Sequence, residues 1–171
     1  MVFVVGLVLS QCTPLHAWNG TVVRVIDGDS IRVNRNGNIV EIRLYGIDTP
    51  EYRQDYSNKA KQYIKRLTSG KTVSVEPKDI DRYGRTVALI TSHGRLINRE
   101  LVRSGFAWFY PKYCLEQPLC SELKTLENKA RTARRGLWRG DNPVSPWEWK
   151  RRERVEKSKS FSRGKVRFPQ R

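Results

Sequence analysis

Histidine, cysteine, acidic side chains and long apolar runs are all scarce in this chain, and each scarcity narrows the chemistry open to it. The two histidines, His16 and His93, lie far apart, and the cysteines are Cys12, Cys114 and Cys120, with no second cysteine pair. Four nitrogen and sulfur donors cannot be gathered from such a set, which argues against a zinc site. A mechanism that leans on a histidine base is disfavoured for the same reason. The apolar run from Val2 to Leu9 is far too short to span a bilayer. No stretch joins a basic face to a broad apolar one, as a helix lying on a membrane requires. Acidic residues number 17 against 33 Lys and Arg, a formal charge of +16. That excess attracts polyanions and steers them in from a distance. A length of 171 residues fits one domain with modest extensions and a real core.

The two ends differ from the middle. Residues 1–17 read as a signal peptide: Val2 to Leu9 is followed by small and polar residues, and Leu15-His16-Ala17 suits a signal peptidase. No Lys or Arg precedes the run, and the alternative is a buried N-terminal strand. Leu9-Ser10-Gln11-Cys12 is a poor lipoprotein box, because Gln stands before the cysteine. Removal of the leader after Ala17 leaves an even pair, Cys114 and Cys120. In an exported protein, secreted or periplasmic, such a pair suggests a disulfide closing a small loop. At the other end, Lys150 to Arg171 holds ten Lys and Arg against two Glu, half of the net charge in 22 residues. Residues 143–171 read as a disordered basic tail, either contacting nucleic acid or merely solvating the chain.

Between the ends, apolar residues alternate from Thr21 to Ile47: Val23 and Val25, Ile31 and Val33, Val40, Ile42 and Leu44. This is the period of half-buried strands. Asn36-Gly37 divides two such runs and predicts a two-residue hairpin, since a type I′ turn needs positive φ twice. The period changes over Ser57 to Leu67, where Ala60, Tyr63, Ile64 and Leu67 share one helical face before Gly70. Strands are expected again at Thr72 to Val75 and Thr86 to Thr91. Helices follow at Ile97 to Ser104, ended by Gly105, and at Ser121 to Arg135, ended by Gly136. The order β-β-β-α-β-β-α-α suits a small barrel closed by three helices, an α+β fold that is mainly β, over residues 18–142.

Three motifs occur in order on this scaffold: Asp27-Gly28-Asp29, then Arg43-Leu44-Tyr45-Gly46-Ile47-Asp48-Thr49-Pro50-Glu51, then Asp81-Arg82-Tyr83-Gly84-Arg85. Asp29 and Asp48, on separate segments, can hold a hard divalent cation through oxygen, with the Thr49 carbonyl and waters completing a loose shell that suits Ca²⁺ better than Mg²⁺. Arg43 and Arg85 can grip a phosphate in bidentate fashion. Glu51 can handle protons. Pro50 fixes its own φ and pushes Thr49 to extended geometry, which holds Asp48 and Glu51 in a defined relation. The combination reads as a metal-dependent cutter of phosphodiester bonds.

These motifs, with Asn98-Arg99-Glu100-Leu101-Val102-Arg103-Ser104-Gly105-Phe106-Ala107 and the stretch Ala130-Arg131 to Gly136-Leu137-Trp138, resemble the staphylococcal (micrococcal) nuclease family from about Val22 to Trp138. The resemblance implies a five-stranded OB-fold barrel with three helices. It implies a calcium-dependent endonuclease that acts on DNA and RNA and leaves 3′-phosphate ends. It assigns Asp29, Asp48 and Thr49 to Ca²⁺, with Asp27 tuning the site from outside the ligand set. Glu51 becomes the general base, Arg43 the clamp on the phosphate, and Arg85 a second clamp that also assists the leaving 5′-oxygen. Tyr83, Tyr113 and Arg82 fall where family members contact the nucleotide, and stacking of this kind is tolerant of sequence. Three features depart from the family pattern. Ser30 replaces the more usual Thr, the stretch between Glu51 and the first helix is short, and Pro111 precedes Tyr113. The partners implied are DNA and RNA substrates, with no membrane and no stable protein partner, hence a monomer. A second reading is a non-catalytic nucleic-acid-binding module on the same barrel. Retention of Asp29, Arg43, Asp48, Glu51 and Arg85 together speaks against it.

Overall fold

The computed structural model describes residues 16–164. Most of the signal-peptide reading, Cys12 included, and the tail beyond residue 164 lie outside the described residues. In chain order the elements are β1 (Trp18–Val25), β2 (Ser30–Arg35), β3 (Asn38–Leu44), β4 (Ile47–Asp48), α1 (Ser57–Thr68), β5 (Thr72–Ile80), β6 (Thr86–Ser92), β7 (Arg95–Leu96), α2 (Ile97–Arg103), β8 (Trp108–Phe109), α3 (Leu119–Thr132) and α4 (Pro146–Gly164).

Five strands close into a barrel. β1 lies between β2 and β5, β2 pairs with β3, and β5 pairs with β6, all antiparallel. The ring shuts where β3 meets β6 in parallel, Ile42 opposite Thr86 and Leu44 opposite Ala88. This mixed, closed barrel, mainly β, is an OB-fold. The β2–β3 turn is set by Asn36 (φ 50°) and Gly37 (φ 90°), and Arg35 pairs directly with Asn38 across it. In β2 and β3 the alternating residues point inward as their period requires, Ile31, Val33, Ile42 and Leu44 being buried, with Val73, Val75 and Ile90 of β5 and β6. In β1 the expected inward face is corrected: a bulge between Val22 and Arg24 shifts the register, so Val22 and Val25 are buried and Val23 is exposed. Ala60 and Ile64 of α1, Leu101 and Val102 of α2 and Leu123 of α3 are buried against them. Burying each large aliphatic side chain contributes roughly 1.5–3 kcal/mol.

Two features outside the barrel shape the site. The short β4–β8 ribbon pairs Asp48 with Trp108, and just beyond it the Tyr110 N–H donates to the Gly46 carbonyl at 2.9 Å. Cys114 and Cys120 are joined by a disulfide that ties the segment after β8 to the first turn of α3.

The disordered reading of residues 143–171 is corrected over Pro146–Gly164, which form a fourth helix. Proline suits a first helical position, no glycine interrupts the helix before Gly164, and Glu148 pairs with Arg151 and Arg152 one turn on. Such pairs and the straight-chain Arg, Lys and Glu support a helix without a core-facing stripe. Apolar periodicity is absent because only the start of the helix packs, with Ser145 and Pro146 buried, whereas residues 154–160 are exposed throughout.

Candidate active site

The barrel rim where β2 begins and β3 ends gathers the acidic residues. Ser30 pairs with Arg43, and the Leu44 N–H donates to the Asp29 carbonyl at 2.8 Å, so the first acidic loop lies against the end of β3. Asp27 accepts the Asp29 N–H at 3.0 Å and shapes that turn. Gly28 is required by close approach: a Cβ there would meet Thr49 Oγ1 at 2.6 Å and Thr49 Cβ at 2.8 Å. The contact it permits is the one that orients Asp29. The Thr49 N–H and hydroxyl both donate to Asp29 Oδ2, each at 2.7 Å, and the Ser30 hydroxyl donates to Oδ1 at 3.3 Å.

Arg43 ties the two acidic segments. One guanidinium nitrogen bonds Asp29 Oδ1, and the other bonds Asp48 Oδ1 at 2.5 Å and the Ile47 carbonyl at 3.3 Å. Asp29 and Asp48 are 2% and 1% exposed, so two like charges sit almost dry and converge on one guanidinium. Burying a carboxylate is costly unless a cation or donors face it. Among the described residues no third His, Cys, Asp or Glu joins them. A metal here would therefore have two carboxylates with backbone and water oxygens, a hard and adaptable set that fits Ca²⁺. The Thr49 side chain and N–H are committed to Asp29, so any role of Thr49 as a ligand falls to its carbonyl.

Arg85 reaches the same rim from the β5–β6 turn. Its Nη1 lies 3.4 Å from the Ser30 hydroxyl, which in turn touches Asp29. Asp81 aims it, accepting from Nε at 2.8 Å and from the Arg85 N–H at 3.0 Å. Burial works to raise the Asp81 carboxyl's pKa, but the Arg85 and Tyr83 hydrogen bonds outweigh it and hold the group below the usual carboxylate range. Tyr83 and Arg82 occupy the exposed tip of this turn, Arg82 donating to the Tyr83 hydroxyl at 2.8 Å and Arg85 lying over the Tyr83 ring.

Glu51 is one-third exposed, and its carboxylate contacts Lys150 of α4 at 2.7 Å. Gln54, almost fully buried, accepts the Glu51 N–H at 2.9 Å and donates to the Val144 carbonyl at 2.6 Å, binding the Glu51 turn to the lead-in of α4. Tyr113 is exposed and rests edge-on against Tyr110, ring centres 4.9 Å apart, while the opposing contact on Tyr110 is a parallel stack with Trp147. Burial, followed by the charge of Asp48, raises the Tyr110 phenol above its ordinary value.

Arg43, Asp29, Asp48 and Arg85 thus form one linked cluster, with Glu51 on the adjoining turn. Tyr83, Arg82 and Tyr113 stand around it without touching the acidic pair. Sequence reasoning passes over Gln54, Tyr110, Trp147 and Lys150. Their contacts span up to 99 positions of chain, from Glu51 to Lys150, and leave no local pattern.

Residues 41–140 match the family described as Staphylococcal nuclease homologue. A protein of Escherichia coli O157:H7 described as an uncharacterized endonuclease is 42% identical over 143 residues, 83% of this chain and 89% of that protein. The micrococcal nuclease of Shigella flexneri is 35% identical over 156 residues, covering 85% and 88%. Protein ParB of Escherichia coli is 37% identical over 147 residues, covering 79% and 82%. With most of its length shared and its acidic and arginine motifs set on an OB-fold rim, this chain belongs to the staphylococcal nuclease homologue family.

Proposed function

We propose that the protein is a calcium-dependent endonuclease that hydrolyses phosphodiester bonds of DNA and RNA with little sequence preference, leaving 3′-phosphate ends. One observation carries the reading: two buried carboxylates converge on a single guanidinium, with a second arginine one hydroxyl away. A pure binder gains nothing from holding two dry acids together.

In this reading Asp29 and Asp48 hold Ca²⁺, with oxygen from Thr49 and water. The ion would supply charge neutralisation at the phosphate and a water made easier to deprotonate. Arg43 turns its fork from the carboxylates to two oxygens of the scissile phosphate and stabilises the charge that develops there. Glu51, open to solvent, accepts a proton from the attacking water as the new P–O bond forms. The P–O5′ bond breaks, Arg85 faces the departing 5′-oxygen and stabilises its charge, and that oxygen takes a proton from solvent water to end as a hydroxyl. Tyr83 and Tyr113 offer exposed rings for bases, consistent with weak base preference. The Cys114–Cys120 bridge supports work outside the reducing cytoplasm, in the periplasm or medium.

Nicking of a supercoiled plasmid tests the reading. Cleavage should require Ca²⁺, stop on chelation and be poorly restored by Mg²⁺, and the new 3′ ends should accept a labelled nucleotide only after 3′-phosphate removal. Full activity in chelator would sink the metal assignment.

A further inference from the structure

The C-terminal helix reaches the site through its N-terminal end, from the two residues before it to Lys150 at the start of its second turn. Val144 is bonded to Gln54 at 2.6 Å, Ser145 and Pro146 are buried, and Trp147 stacks on Tyr110 at 4.9 Å with ring planes 10° apart. These contacts set Lys150 against Glu51 at 2.7 Å. The neighbouring Arg151 and Arg152 both turn to Glu148 instead. Among the described residues, Lys150 is therefore the cation of α4 that contacts the rim.

Two roles fit such a contact, and magnitude separates them. As a latch, Lys150 would block Glu51 until released. The Lys150 side chain, however, is 47% exposed and that of Glu51 32%. An ion pair this open biases its partners by about fivefold at most, because water screens it and two long side chains must be ordered. A latch so weak would hardly regulate. The same weakness makes exchange easy: a phosphate arriving beside Glu51 can take over the ammonium, which is a mobile point charge on a four-carbon stem.

We propose that Lys150 is a substrate-binding residue for a phosphate flanking the scissile one, moving from Glu51 to that phosphate as the strand enters. The first turn of α4 is then one wall of the nucleic-acid groove, with Trp147 and Tyr110 as its prop. The proposal rests on the nuclease reading above and adds a subsite to it.

The test compares Lys150→Ala and Lys150→Arg with the native protein on two substrates. A dinucleoside monophosphate has one phosphodiester and no flanking phosphate, whereas a single-stranded oligonucleotide has several. Lys150→Ala should lower kcat/KM on the oligonucleotide about tenfold more than on the dinucleotide, the value of one charge-assisted contact. The difference should lie in KM, and Lys150→Arg should recover most of it. Binding of the oligonucleotide in chelator should weaken by a similar factor, with the salt slope flattened by roughly 0.7. Equal losses on both substrates would overturn the subsite in favour of a purely structural role. A rise in kcat on both would reinstate the latch, and no change would make Lys150 a solvating residue. If the native protein cuts neither substrate, the nuclease reading fails instead, and the binding measurement still judges Lys150.

Discussion

The barrel rim and the C-terminal helix carry charge in opposite ways. On the rim, Asp29 and Asp48 are nearly dry, and their carboxylates are held in place by Thr49, Ser30 and Arg43. On α4, most of the cations stand in water and pair with acids of the same helix or with none of the rim residues. The contrast separates two tasks. Bond breaking needs groups fixed to within a fraction of an ångström, which only burial and cross-linking of segments achieve. Holding a flexible polyanion needs charge that can move. Lys150 lies at the junction, its helix anchored by the turn before it and its ammonium paired with Glu51 at 2.7 Å in a half-open contact.

Changes on the rim should give the largest effects. Arg43→Lys and Arg85→Lys should each reduce kcat by about 10²–10³, because an ammonium keeps the charge but loses the two-oxygen fork. The pair should differ in one respect. Arg43→Lys removes an arm from one of two buried acids and should also lower the melting temperature in chelator, whereas Arg85→Lys should leave it close to native. Near-native turnover by either Lys variant would refute the clamp assigned to that arginine.

Acid should expose a smaller effect on the β5–β6 turn. The Asp81 carboxyl is held below its ordinary value in the folded protein. Its stabilising contribution is therefore present above about pH 4, the unfolded value, and is lost as pH falls through the lower folded value. Asp81→Asn should be less stable than the native protein at neutral pH, and the gap in urea midpoint should close below about pH 4. A gap that persists at about pH 2, below the unfolded carboxyl value, would mean that Asp81 acts by shape, not charge.

The smallest effect belongs to the far end of the chain. Removing residues 155–171 leaves Lys150 and its anchors in place and should not change turnover at saturating substrate. Affinity at low salt should fall, and the plot of log K against log salt should flatten by roughly 0.7–0.9 for each phosphate that the shortened chain no longer neutralises. An unchanged slope, measured on an oligonucleotide in chelator, would make this part of α4 a solvating extension.

Much of the barrel was legible in the sequence because its signals are local. Alternation from Ile31 to Leu44 follows from side chains pointing to opposite faces of a strand, and Asn36-Gly37 tolerates the positive φ that the hairpin needs, whereas the bulge in β1 turns Val23 outward and breaks the same pattern there. The helical faces of α1, α2 and α3 repeat at the helical period and end near glycine or a short turn. Helix α4 escaped the same reading, since a helix that packs only through its first turn need not show an apolar stripe. Gln54 escaped it too, because a glutamine that bridges Glu51 to Val144 looks like any polar residue until both ends are in place.

By itself, the sequence determined which chemical groups exist and in what local geometry: the acids beside glycine and proline turns, arginines in strand and turn, and a strong positive charge. Only the tertiary structure decided which groups share a pocket. Parallel closure of β3 on β6, the approach of Thr49 to Asp29 across Gly28, and the seating of Trp147 on Tyr110 are contacts between distant segments. Local periodicity encodes the burial of one face at a time, whereas a site is made where several faces end together, and that depends on how the whole chain closes.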